Sequence, residues 1–264
     1  MKTLNFAVET GIGWIRLSRP EKRNPFDTLL REELMTVLEQ VRNDLTVRAL
    51  VLTGGQGSFC AGGNIQDLQA NADAGAVYWQ QRITTGLRAI NDLLHLSRPL
   101  IAVVDGPAYG AGFSLALTAD MILASPRARF SMSHLKLGLV PDLGALYMLP
   151  RVVGLQRAKE IIFSTREIDA VEALDLGIVM EIHESELIEE RAREIALSLA
   201  SASPTSLALT KAALTASLDS DQHAMFAMEA SSQAAAFSAP EPKAAIDAFL
   251  GRKPLPFQWK AQKS

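Results

Sequence analysis

The stretch LIAVVDGPAYGAGFSLALTAD, residues 100–120, decides how the chain is read. Leu100–Val104 is a short, wholly apolar run, the pattern of a strand buried on both faces. Asp105-Gly106-Pro107 closes it, and Tyr109-Gly110-Ala111-Gly112 leads into a run that reads as a helix. Inside that unit, Gly112-Phe113-Ser114-Leu115-Ala116 stops one residue short of the G-x-S-x-G elbow that presents a nucleophilic serine. His134 and Asp142 supply the other two residue types of a hydrolytic triad, so Ser114 enters as a candidate nucleophile. The order Ser…His…Asp differs from the Ser…Asp…His of the hydrolases that carry the elbow, which weakens that reading without removing it.

Working outward, the same strand-and-helix alternation recurs. Leu4–Glu9 and Trp14–Leu17 flank Thr10-Gly11-Ile12-Gly13 as a hairpin. Asp27–Arg42 carries Leu30, Leu34, Val37, Leu38 and Val41 on one helical stripe. Arg48–Thr53 is a second buried strand, a helical stretch spans Trp79–Leu96, and Met121–Ala124 is a further strand. Buried strands separated by helices imply crossovers and parallel pairing, an α/β fold. From Gly154 onward the patterns are mainly helical: Leu187–Ala202, then Ser206–Ala216, Gln222–Phe237 and Pro240–Leu250. The chain therefore divides into a core, 1–202, and a helical C-terminal region, 203–264, with too little apolar material to form a core of its own.

Composition narrows the function. The chain has 264 residues, 48% hydrophobic and 21% charged, with a net charge of −3. No basic run suggests nucleic acid. The most apolar region, Leu100–Ala124, is interrupted by Asp105, Pro107, Asp120 and several glycines and is not a membrane span. One cysteine, Cys60, allows no internal disulfide, and the start has no apolar signal region, so a cytoplasmic protein is expected. Cys60 reads as a packing residue. His95, His134, His183 and His223 are scattered without ligand spacing, so no metal is expected. Neither Gly54-Gly55-Gln56-Gly57 nor Gly110-Ala111-Gly112 completes a dinucleotide fingerprint, and no P-loop occurs. What remains is a pair of glycine-rich turns after buried strands, Ser58–Asn64 and Asp105–Gly112, whose backbone N–H groups could converge on a developing oxyanion.

Five elements, in order, resemble the enoyl-CoA hydratase/isomerase (crotonase) superfamily. They are Arg19-Pro20-Glu21-Lys22-Arg23-Asn24, Phe59-Cys60-Ala61-Gly62-Gly63, Gly106–Gly112, Leu137-Gly138-Leu139-Val140-Pro141-Asp142, and Leu149-Pro150-Arg151-Val152-Val153-Gly154. Leu176–Val179 and Phe249–Lys253 extend the likeness over nearly the whole chain. The resemblance implies a crotonase-like spiral of ββα units with a helical C-terminal trimerisation region, assembled as a homotrimer or dimer of trimers. The substrate would be an acyl-CoA thioester, coenzyme A being part of the substrate and no separate cofactor needed. By the same resemblance, Gly63 and Ala111 form the oxyanion hole. Lys22, Arg23, Ala61, Gly62, Ile65, Phe249, Arg252 and Lys253 would bind coenzyme A, the C-terminal residues by reaching across a subunit boundary. Hydratases of the family carry two glutamates where this chain has Ser114 and His134. Asp142 stands where isomerases of the family carry an acid, and the combination resembles the isomerases of phenylacetate catabolism, which rearrange a ring epoxide and move enoyl double bonds. An isomerase with Asp142 as acid/base is therefore expected, with Ser114 and His134 as possible accessory residues. Residual hydration, a Ser114 hydrolase and an inactive thioester-binding protein are the alternatives. Tyr78, Trp79, Phe113 and Tyr147 read as candidate walls for a bulky acyl group.

Overall fold

Alternation along the central strands sets the architecture. In the computed structural model, which describes residues 1–55 and 57–260, β1 (Leu4–Glu9), β2 (Ile12–Leu17) and β3 (Ala49–Thr53) begin a six-stranded sheet. Gln56 of the first glycine run and the last four residues of the 203–264 region lie outside the described residues. The β1–β2 turn is only Thr10-Gly11, both with positive φ (50° and 83°), the requirement of a tight hairpin turn. Ile12 and Gly13, expected in the loop, therefore pair with Glu9 and Val8.

The chain then crosses over α1 (Thr28–Asn43), whose Asp27 caps it by accepting from the Leu30 N–H at 3.0 Å. After β3 come α2 (Ile65–Ala70), α3 (Gly75–Leu94) and β4 (Leu100–Val104). Next are β5 (Pro107–Tyr109), α4 (Ala111–Ala116), β6 (Met121–Ala124), β7 (Arg129–Ser131), α5 (Ala145–Val153) and α6 (Leu155–Ser164). The core closes with β8 (Ile168–Asp169), α7 (Ala170–Asp175), β9 (Glu181–Ile182) and α8 (Ile188–Ala200). The main sheet runs β1-β2-β3-β4-β6-β9, antiparallel only at its first pair, and a second sheet runs β5-β7-β8. Cys60 bridges to Ala108, which adds the Phe59–Cys60 segment to the second sheet beside β5. Each turn of the chain thus lays one strand in the main sheet and a shorter one in the second layer before a helix. That is the ββα spiral implied by the family resemblance.

Leu50, Leu52, Leu100, Ala102 and Val104 face one apolar layer, closed by the Leu30–Val41 stripe of α1 and by Ile90 and Leu93 of α3. Ala49, Val51, Ile101 and Val103 face the other, covered by Ile188, Ala192, Ile195, Ala196 and Leu199 of α8. Beyond α8 lie α9 (Pro204–Ala216), α10 (Gln222–Phe237) and α11 (Pro240–Leu250), none of which buries a residue. Polar ties hold this region to the core. Lys211 donates to Asp120 at 2.7 Å and Arg151 to Asp219 at 2.5 Å. Leu214, Leu218, Phe226, Phe237, Phe249 and Leu250 remain exposed. Among the described residues no helix is long and apolar enough to cross a membrane.

Candidate active site

Two turns meet where β3 and β4 end. The amides of Phe59 and Cys60 both donate to Pro107 O (3.1 and 3.0 Å), and the Tyr109 N–H returns to Cys60 O at 3.0 Å. Asn24, buried at 1% exposure, donates its side-chain amide to the carbonyls of Gly54, Ser58 and Phe59 at 2.9–3.1 Å. The Ala61 N–H donates to Arg23 O (2.9 Å) and the Phe26 N–H to Gly62 O (2.8 Å). The Arg19–Asn24 element is therefore a clamp on the first turn, a role the sequence reading missed. Its signal was present only as an asparagine in an otherwise charged run.

The second turn enters α4. Gly110 adopts φ 51° and ψ −119°, a conformation closed to residues with a Cβ, so the left-handed demand falls on Gly110 and not on Ala111. An alanine at 111 thus keeps its amide in place at the first position of α4. A Cβ on Gly112 would fall 1.9 Å from Cys60 O, so only glycine lets the helix lie against the first turn. Ala111 N in turn lies 3.7 Å from where a Gly62 Cβ would stand. Among the described residues neither the Gly63 nor the Ala111 N–H donates to a protein acceptor. Two uncommitted amides on neighbouring, mutually pinned turns can share one oxygen that gains negative charge.

Asp142 follows the short 3₁₀ turn Ser133–Leu137 and precedes α5. Its carboxylate, partly exposed, meets His134 Nε2 at 3.1 Å. It caps no helix, since α5 has no side-chain cap. An ionised carboxylate only accepts, so the bond assigns the imidazole proton to Nε2. The His134 Nδ1 is buried without a partner, and its ring edge lies beside Gly110, with Cε1 3.6 Å from where a Cβ would stand. His134 therefore holds Asp142 but offers no free nitrogen to a substrate. Ser114 is fully buried, and its hydroxyl donates to Asp142 O at 3.0 Å and Gly110 O at 3.3 Å. It contacts the aspartate's main chain and not the imidazole, so the triad expected by analogy with the elbow is absent. The serine ties the Pro141–Asp142 segment to α4.

Cys60 is fully buried, and burial pushes its thiol up to about 12, which leaves it an inert packing group. Lys22, Arg23 and Ile65 are exposed around the first turn beside Ala61 and Gly62. Phe249, Arg252 and Lys253 are exposed at the end of α11, and no hydrogen bond among the described residues links them to the turns. Tyr78 and Trp79 stand edge to face, 5.2 Å between centroids, at the start of α3. Phe113 and Tyr147 correct the expectation of pocket walls. Phe113 is fully buried against Phe130, and Tyr147 pairs with Asp219 while Arg151 stacks 3.5 Å above its ring. Among the described residues no three His, Cys, Asp or Glu side chains converge as a metal set would.

Residues 7–262 match the family model described as enoyl-CoA hydratase/isomerase. The 1,2-epoxyphenylacetyl-CoA isomerase of Escherichia coli (strain K12) is 31% identical over 254 residues, covering 96% of this chain and 97% of that one. The short-chain-enoyl-CoA hydratase of Clostridium acetobutylicum is 30% identical over 248 residues, 94% of each. Among solved structures, an enoyl-CoA hydratase/isomerase from Cupriavidus metallidurans CH34 superposes with a TM-score of 0.97 at 65% identity, covering 100% of this chain and 99% of that one.

Proposed function

The chain belongs to the enoyl-CoA hydratase/isomerase family, and from that premise we propose that it is an isomerase that moves a double bond within an acyl-CoA thioester. The observation that carries the reading is a single partly exposed carboxylate, Asp142, beside two uncommitted amides, with a buried serine and a sealed histidine where hydration would need two acids. In a 3-enoyl thioester Asp142 takes the proton from the α-carbon. The electron pair moves into the carbonyl, and the resulting dienolate oxygen is held by the Gly63 and Ala111 N–H groups. The protonated Asp142 then returns the proton to the γ-carbon, the double bond settles between the α- and β-carbons, and the carbonyl re-forms. One acid able to reach both carbons suffices, whereas hydration needs separate groups to activate water and to protonate carbon. Each amide is worth about 2.7–4 kcal/mol of barrier where such donors have been removed from other enzymes. His134 and Ser114 are positioning residues in this account, acting on Asp142 through its side chain and main chain.

The relative that isomerises an epoxyphenylacetyl thioester supports the same base acting on a ring substrate, since both reactions need an enolate-like oxygen held in place. Lys22 and Arg23 supply cations for coenzyme A phosphates next to the turns, joined by Arg252 and Lys253 of a neighbouring subunit. The exposed apolar faces of α9–α11 support assembly as a trimer or a dimer of trimers. The test offers purified protein 3-enoyl-CoA and 2-enoyl-CoA of equal chain length. Conjugation is followed by ultraviolet absorbance and water addition by mass. Isomerisation should exceed hydration by orders of magnitude; faster hydration would overturn the reading.

A further inference from the structure

Arg31 is a buried cation without an anion. It lies on the inner side of α1 at 7% exposure. Its Nη1 donates to Arg82 O at 2.8 Å and its Nη2 to Thr28 Oγ1 at 2.9 Å, while the Nε–H is buried and unpartnered. A guanidinium has five N–H donors, and burying one without a carboxylate is costly. The two aspartates whose charge reaches it are committed elsewhere, Asp27 to Arg19 and Asp67 to Arg82. Burial, and then the neighbouring Arg82 charge, pull Arg31 below the ordinary guanidinium range, which marks a site that favours an incoming anion.

The location ties this charge to the candidate active site. A Cβ on Gly86 would fall 2.7 Å from Leu143 Cδ2 and 3.5 Å from Arg31 Nη1, so α3, Arg31 and the residue following Asp142 meet at one point. The wall above is lightly held. α2 buries none of its residues, and α3 buries none before Gly86. Arg82 fastens the two helices through Asp67 and lies 5.5 Å from the Trp79 ring. An acyl group that entered past Asp142 and displaced this wall would meet the open Arg31 donors.

We propose that Arg31 recognises a carboxylate at the far end of the acyl group, so that the preferred substrate is the coenzyme A thioester of an unsaturated dicarboxylic acid. This rests on the isomerase reading, and Arg31 is a specificity residue that does not touch the reacting carbons. The test compares 3-octenoyl-CoA with 3-octenedioyl-CoA, which differ only in a terminal methyl or carboxylate. The wild-type enzyme should favour the dicarboxylate by about tenfold or more in kcat/KM, mainly through KM, the scale of a hydrogen bond to a charged group. Arg31→Lys should keep part of that ratio, and Arg31→Met should reduce it to one or below. A wild-type preference for the methyl end, no preference, or a ratio that survives in Arg31→Met overturns the proposal. Calorimetric binding of octanoyl-CoA and octanedioyl-CoA, which have no double bond to move, separates the two readings. Tighter binding of the dicarboxylate with neither octenoyl thioester turned over would uphold Arg31 and sink the isomerase assignment. If Arg31→Met does not fold, the wild-type binding and rate ratios decide.

Discussion

Gly112→Ala tests whether the contact between the two turns builds the oxyanion site. The added Cβ would stand 1.9 Å from Cys60 O, 2.7 Å from Cys60 C and 2.9 Å from Cys60 Cβ. Backbone atoms on both sides must separate until the first distance reaches at least 3.0 Å, below which real Cβ atoms essentially never lie. Cys60 O also accepts from Tyr109, so moving it loosens the bridge that carries Ala111 toward Gly63. Overpacking of this kind costs about 1–3 kcal/mol of stability. A displacement on the order of 1 Å of a reacting group costs about 100-fold in rate. The assay is kcat for 3-enoyl to 2-enoyl conversion at a temperature where circular dichroism shows the variant folded, alongside its urea midpoint. We expect a folded protein with kcat down about 100-fold. A folded variant within about threefold of wild type would refute the claim that this contact sets the amide geometry.

Other changes separate structural from chemical roles. Asn24→Ala leaves the Gly54, Ser58 and Phe59 carbonyls without their buried donor and places alanine at φ 49°. Urea unfolding should show a loss of about 3 kcal/mol, and a loss under about 1 would mean the clamp is dispensable. Ser114→Ala should cost about 1 kcal/mol and slow turnover by less than about tenfold. Intact mass of wild type with substrate should show no acyl adduct; an acyl-serine would restore the hydrolase. Arg166 binds Glu160 at 2.6 Å and Glu172 at 2.6 Å. Its hydrogen bond holds the Glu160 carboxyl down from 4.5 to about 2. A depressed carboxyl contributes stability at pH values above 4.5 that is lost as pH falls toward 2. Wild-type Tm should therefore drop more steeply across that window than that of Arg166→Met, and parallel profiles would contradict the clamp.

The main sheet was legible because β3, β4 and β6 are uninterrupted apolar runs, and α1 because its five stripe residues recur at helical spacing. The second sheet was not. β5, β7 and β8 have two or three residues each, too few for any periodicity to register. Gly63, Ala111 and Asp142 could be picked out by resemblance, but the partners that orient Asp142 could not. The His134 contact crosses a 3₁₀ turn and a loop, and the Ser114 contact uses a main-chain carbonyl that has no sequence signature. Phe113 and Tyr147 misled because an aromatic ring does not announce which way its helix turns it. Arg31 was passed over for the opposite reason, since a cation beside a helical stripe is ordinarily read as solvated.

The most direct test is α-proton exchange in Asp142→Asn. The wild-type enzyme in deuterium oxide should place deuterium at the α-carbon of a bound 3-enoyl thioester while it forms the 2-enoyl product. The variant keeps the shape of the side chain and loses the base. We predict that exchange and isomerisation both fall by about 100- to 10,000-fold, the range for removing a general acid/base, while calorimetry shows ligand binding retained. Undiminished exchange in Asp142→Asn would contradict the account, because some other group would then be moving the proton.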